Sequence, residues 1–183
     1  MNATRCLPAA AVALLLLSGC AAQNAQPTSA AAASTVNPAE ADFVTNAYQV
    51  IEFDRQEGTL AQTQARNPQV KALAQQLTNE ANDFAARLGP VAAAAGIQPP
   101  TVLRRDLRIR LGHMQLQQGL DFDRVYLADQ IASHEEALRS AEAMNGAQVS
   151  PQFAALSQQG NELLRQNLAK LYALQRQMGP PRG

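Results

Sequence analysis

Three dipeptides punctuate this chain: Asn37-Pro38, Asn67-Pro68 and Ser150-Pro151. Each sets a capping side chain directly before a proline, whose fixed φ suits the first helical position and whose missing N–H costs nothing there. Glu40 adds an acidic residue in the first turn after Asn37. The stretches that follow are rich in Ala, Leu and Gln, which are good helix formers, with apolar residues at helical rather than alternating spacing. The pattern predicts a helix from Asn37 to about Arg66 and a second from Asn67 to about Ala95, closed by Gly96. Pro90 is expected to kink or interrupt the second. A turn at Pro99-Pro100 leads to a short helix over Val102–Gln118, ended by Gly119. Asp121 is expected to cap a long helix to Asn145, with Gly146 as its stop, and the last helix runs from Ser150-Pro151 to near Met178. Four long amphipathic helices with tight connections predict an all-α, antiparallel four-helix bundle, the short helix crossing between the second and third long ones.

Faces follow from an advance of about 100° per residue. The first helix gathers Phe43, Val50, Ile51, Gly58 and Ala61 on one side, with Asp54 in their midst. The second gathers Val70, Leu73, Leu77, Phe84 and Leu88 around Ala81. Tyr126, Ile131, Leu138, Ala141 and Met144 surround His134, with Gln130 close by, and Arg124, Asp129, Glu135, Glu136, Arg139 and Glu142 take the opposite face. Phe153, Leu156, Leu163, Leu164, Leu171 and Leu174 form the last stripe, with Asn167 inside it. Three helices thus aim Asp54, His134 and Asn167 at the core. An unpaired buried carboxylate costs several kcal/mol, so an Asp54–His134 hydrogen bond backed by Asn167 or Gln130 is expected.

The first residues carry an address. Arg5 precedes an apolar run from Ala9 to Leu17, too short to span a bilayer, which needs roughly 20 residues. Leu17-Ser18-Gly19-Cys20 resembles the lipobox of bacterial lipoproteins. That resemblance implies cleavage before Cys20, lipidation of its thiol (palmitate among the acyl chains) and a membrane anchor facing the periplasm. One acyl chain holds only marginally, whereas two or three hold lastingly. Ala21, in place of an Asp, favours the outer membrane by resemblance to enterobacterial sorting. The expected organisation is a signal peptide over 1–19, a lipidated cysteine and flexible tether over 20–36, and the helical domain over 37–180. With Cys6 discarded and Cys20 blocked, no disulfide is expected.

Other chemistry is thin. The 15 basic and 15 acidic residues balance, which argues against nucleic acid as a partner. Arg104, Arg105, Arg108 and Arg110 form one basic cluster on the short helix, read as a solvated face, with a weak contact to anionic lipid or peptidoglycan as the sharper alternative. No Gly-rich phosphate loop is present, and the Glu residues map mostly to solvated faces of a bundle expected to lack a cleft. His113 is expected at or near the surface. No catalytic residue and no cofactor are assigned.

Two motifs carry a family resemblance. Asn67-Pro68-Gln69-Val70-Lys71-Ala72-Leu73-Ala74 resembles an "NPxVKxFA" pattern. Phe122-Asp123-Arg124-Val125-Tyr126-Leu127 followed by His134-Glu135-Glu136-Ala137 resembles "FDxxYL…HEKA". Both are similar to exported bacterial proteins with a ferritin-like bundle, domain of unknown function 4142, over about residues 40–178. The resemblance implies a ferritin-like fold, an envelope location and no established activity. Members commonly carry an inward acid on the first helix and inward histidines on the other three. Asp54 and His134 match two of these places, and Ala81 and Asn167 occupy the other two. One Asp, one His and one Asn make a poor transition-metal set, and no Glu stands three residues before His113 or His134, as a di-iron site would need. The expectation is a lipid-anchored bundle with a non-enzymatic envelope role, exercised by structure or by contact with an envelope protein partner, the alternative being a degenerate ferritin-like metal or small-ligand binder using Asp54 and His134.

Overall fold

The computed structural model describes residues 36–142 and 146–179. Chain contacts divide the protein into two units, Met1–Ser34 and Thr35–Gly183. The signal peptide, Cys20 and the tether up to residue 35 lie outside the described residues, as does Met144. The second unit holds the five helices and three apolar clusters of the described residues, so the hydrophobic contacts described between helices lie within it. No described helix is long and apolar enough to cross a membrane.

The helices are α1 (Pro38–Gln64), α2 (Pro68–Ala94), α3 (Arg105–Gln115), α4 (Gly119–Glu142) and α5 (Pro151–Met178). Among the described residues the only ladder contact is an isolated bridge between Ala65 and Gly119. All three Xaa-Pro signals start helices where expected. Asn37 Oδ1 accepts from the Ala39 N–H at 3.0 Å and Asn67 Oδ1 from the Gln69 N–H at 2.8 Å. Ser150 makes no such side-chain bond; instead its N–H donates to Glu40 Oε1 at 2.6 Å, so an acid of α1 fixes the entry to α5.

Three expectations are corrected. Helix α2 runs unbroken through Pro90. The carbonyl that Pro90 leaves without an intrahelical donor is that of Ala86, and both residues are exposed, so water replaces the lost bond. Asp121 is not the cap of α4 but lies in its first turn, where it pairs with Arg124 at 3.3 Å. The crossover helix is shorter than the predicted Val102–Gln118, because Gln49 holds its approach in non-helical backbone. That buried amide donates to the Val102 carbonyl at 3.0 Å and accepts from the Arg104 N–H at 2.7 Å.

Helices α1, α2, α5 and α4 pack side by side in that order and close a ring, with α3 laid across α1 and α4. At Gly58 the backbone of α1 comes so close to α2 that a Cβ there would lie 2.1 Å from Thr78 Oγ1. The turn from α1 to α2 is fixed by Asp123, fully buried on α4, which accepts from the N–H groups of Arg66 and Asn67 at 3.0 and 2.9 Å.

The core is not one continuous apolar column. Ala61, Val70, Leu73, Phe122, Tyr126 and Leu171 belong to one cluster. Phe43, Ile51, Phe84, Leu88, Phe153 and Leu156 belong to another. A third, of Phe53, Leu103, Leu107 and Leu111, seats α3. Along α1 and α5, buried polar residues separate the first two clusters: Asp54 and Glu57 on α1, Asn161 and Asn167 on α5; α4 adds buried Gln130, which bonds to Glu57, and His134. This polar belt positions the candidate site.

Candidate functional site

The belt borders a cavity of about 300 Å³ between α1, α2, α4 and α5. Its wall is chiefly apolar, with Phe43, Val50, Leu77, Phe84 and Leu163 among the lining side chains. The bundle was expected to offer no cleft; the cavity corrects that. Its physical origin is the choice of small side chains where the helices face each other: Ala47, Ala81, Ala137, Ala141 and Gly160 all line it. Asp42 and Ala147 also line it and are exposed, so it opens beside the start of α1 and the turn into α5.

Asp54, His134 and Asn167 all face this cavity, so the sequence placed three inward polar groups correctly. The expected hydrogen bond between Asp54 and His134 does not form. His134 Nδ1 instead donates to the Gln130 carbonyl one helical turn earlier, at 3.0 Å. Because a carbonyl can only accept, the proton sits on Nδ1 and Nε2 remains an acceptor. Asn167 Oδ1 accepts from Lys170 Nζ at 3.3 Å, and Lys170 also pairs with Glu80 at 3.3 Å. Asp54 Oδ1 and Asn161 Oδ1 are buried and have no hydrogen-bond partner among the described residues.

Behind Asp54 lies a polar group that sequence reasoning missed. Glu57 is fully buried, against the expectation that the Glu residues face solvent. It accepts from Gln130 Nε2 at 2.8 Å. Its Oε1, Gln130 Oε1 and the Tyr126 hydroxyl are all buried without partners. The available signal was spacing: Asp54 and Glu57 stand three apart and so share a helix face.

Burial sets the charge states. Desolvation pushes the Asp54 carboxyl up to about 8, opposed by hydrogen bonding to Gln130 and assisted by Glu80. Desolvation raises Glu57 well above the usual carboxylate range, again opposed by Gln130, and raises Tyr126 likewise. His134 is lowered by burial to about 4, so it is neutral at pH 7. The belt is therefore an array of neutral hydrogen-bonding groups at neutral pH.

These residues do not fit a di-iron centre, which takes a carboxylate from each of two helices and a Glu-x-x-His pair from each of the other two. Among the described residues no three His, Cys, Asp or Glu side chains come together as a metal set. Ala81 and Asn167 leave α2 and α5 without a metal donor at the belt.

The crossover arginines are largely engaged. Arg104 pairs with Glu136 at 2.7 Å and with Asp106 at 3.4 Å, and Arg108 donates to the Leu103 carbonyl. Arg110 pairs with Asp129 at 3.1 Å while its guanidinium sits 5.0 Å above the Phe53 ring. Arg105 and His113 are exposed.

No curated protein matches the sequence. The crystal structure of a DUF305 fragment from Deinococcus radiodurans superposes with a TM-score of 0.70 at 14% identity, covering 78% of this chain and 98% of that one. That likeness concerns the fold alone. Residues 25–174 match the family described as "Domain of unknown function (DUF4142)", a span that begins inside the expected tether and includes every residue of the belt. On that match, the chain belongs to the DUF4142 family.

Proposed function

We propose that this protein is a lipid-anchored, periplasm-facing envelope protein, non-enzymatic, whose antiparallel ferritin-like four-helix domain binds a small and largely apolar ligand inside the bundle. One observation carries the binding half: an apolar-walled cavity of about 300 Å³ between the four long helices, with convergent polar groups at its inner side. Ligand sites have this character, apolar walls with a few placed hydrogen-bonding groups, and start at about this size. The volume would hold about ten waters in the liquid. The addressing half is supported by the lipobox-like Leu17-Ser18-Gly19-Cys20, and Ala21 in place of an Asp favours the outer membrane by resemblance to enterobacterial sorting.

The two halves have separate tests. In cells fed labelled palmitate, the wild-type chain should carry label and Cys20→Ala should not; label on the variant would remove the anchor. For the cavity, an apolar fluorescent probe should brighten with the Thr35–Gly183 unit and stay dark with Ala81→Phe, which fills the space. Equal brightening by both forms would place the probe elsewhere and end the cavity reading.

The metal-binding alternative through Asp54 and His134 has no observation in its favour beyond their shared wall. Elemental analysis after loading with iron, manganese or zinc decides it: about one ion per chain, lost in His134→Ala, would establish it.

A further inference from the structure

Resting on the cavity reading, we infer that the ligand is a cationic amphiphile, an amine with an apolar body, and that Asp54 pairs with its ammonium group. The charged side chains lining the cavity are Asp42 at the mouth and Asp54 within; no Lys or Arg lines it. The unsatisfied buried atoms of the wall are Asp54 Oδ1 on α1 and Asn161 Oδ1 on α5, and both are acceptors once the Asp54 carboxyl gives up its proton. His134 Nε2 adds an acceptor from α4, since Nδ1 holds the proton. A wall of unfilled acceptors calls for a donor, and an ammonium brings three donors with a matching charge.

The surroundings agree. Lys170, the cation near Asn167, is already paired with Glu80 and leaves Asp54 without a counter-charge. His134 is held neutral by burial. Glu57, joined through Gln130, adds a further acid behind Asp54. A carboxylate ligand would meet Asp42 and Asp54 with no cation to receive it, and would have to enter protonated. An amine enters as the ammonium while Asp54 releases its own proton to solvent, so the buried pair is neutral overall. Binding should therefore release close to one proton.

The test compares octylamine, octanol and octanoate on the Thr35–Gly183 unit by calorimetry in two buffers of different ionisation enthalpy. The expected order is octylamine tightest, by roughly tenfold or more over octanol, with octanoate weakest. Proton release should accompany the amine alone. Asp54→Asn, which keeps the shape, should cut amine affinity roughly tenfold or more and abolish the proton release while leaving octanol unchanged. Octanoate or octanol binding as tightly as the amine would overturn the charge selection and leave the cavity reading standing. No binding by any of the three would remove both.

Discussion

The side-chain amide of Gln130 donates to Oε2 of Glu57 at 2.8 Å, joining α4 to α1 through a bond between two residues with no exposed surface. It spans two helices, unlike the bonds that Ser133 and His134 make to the Gln130 carbonyl within α4. Around it Asp54 Oδ1, the Tyr126 hydroxyl, Glu57 Oε1 and Gln130 Oε1 remain without partners among the described residues.

Removing half of this link should cost more than removing all of it. Gln130→Leu leaves Glu57 buried with no partner, a loss of about 2–4 kcal/mol. Adding Glu57→Leu removes the stranded carboxyl, and the double variant should recover most of that loss or exceed the wild type. Urea unfolding of the Thr35–Gly183 unit measures both. A double variant less stable than Gln130→Leu would mean that Glu57 stabilises the fold by some other contact.

Stability should fall as pH rises, and fall faster above about pH 6.5. Asp54 has its folded value raised from 3.8 to about 8, and Glu57 is raised from 4.5. The folded chain therefore keeps protons that the unfolded chain releases. Their contribution is complete below the unfolded values and is lost as pH climbs toward the folded ones. His134 acts in the opposite sense, lowered from 6.5 to about 4, so its contribution is complete above 6.5 and is lost on acidification toward 4. Between those values His134 offsets one carboxyl; above 6.5 nothing does. Each unopposed carboxyl gives a slope of up to roughly 1.4 kcal/mol per pH unit. In His134→Gln the steeper limb should extend down to about pH 4. Urea midpoints taken across this range check it, and a wild-type profile that rises steadily toward pH 8 would show the carboxyls ionised in the fold.

Gly58→Ala should destabilise by about 1–3 kcal/mol, because the new methyl would meet Thr78 Oγ1 at 2.1 Å where the branched side chain has little room to turn. Thr78→Ala in the same chain should restore most of the loss, a coupling of the kind contacting residues show. Additive losses in the thermal melts of the two singles and the double would place the strain elsewhere.

Much of this fold was legible because helix grammar is local. Asn37 and Asn67 act through their own side chains on backbone two residues on, and Gly96 adopts the positive φ that a helix stop uses. Inward faces were legible for the same reason, which is why Asp54, His134 and Asn167 were found. What escaped depends on distant chain. Gln49 and Asp123 hold backbone more than fifty residues away, Val102 and Arg104 in one case, Arg66 and Asn67 in the other. No periodicity encodes that. The Asp54–His134 bond failed because a carbonyl of the same helix, that of Gln130, competes for the imidazole proton with no need to bridge helices. The cavity escaped because an Ala or Gly on a core face reads equally as close packing or as space; Gly58 turned out to be the first and Ala81 the second.

The split core has an evolutionary consequence. The family resemblance implies inward histidines where Ala81 and Asn167 stand, and Leu77, Phe84 and Leu171 lie in the apolar clusters around those places. Because buried polar residues part the two clusters along α1 and α5, substitutions of those polar residues in the middle turn leave the hydrophobic contacts at either end in place. A lineage can then empty, refill or recharge that turn without crossing an unfolded intermediate sequence. The frame and the contents of that turn are thus specified by separate sets of residues.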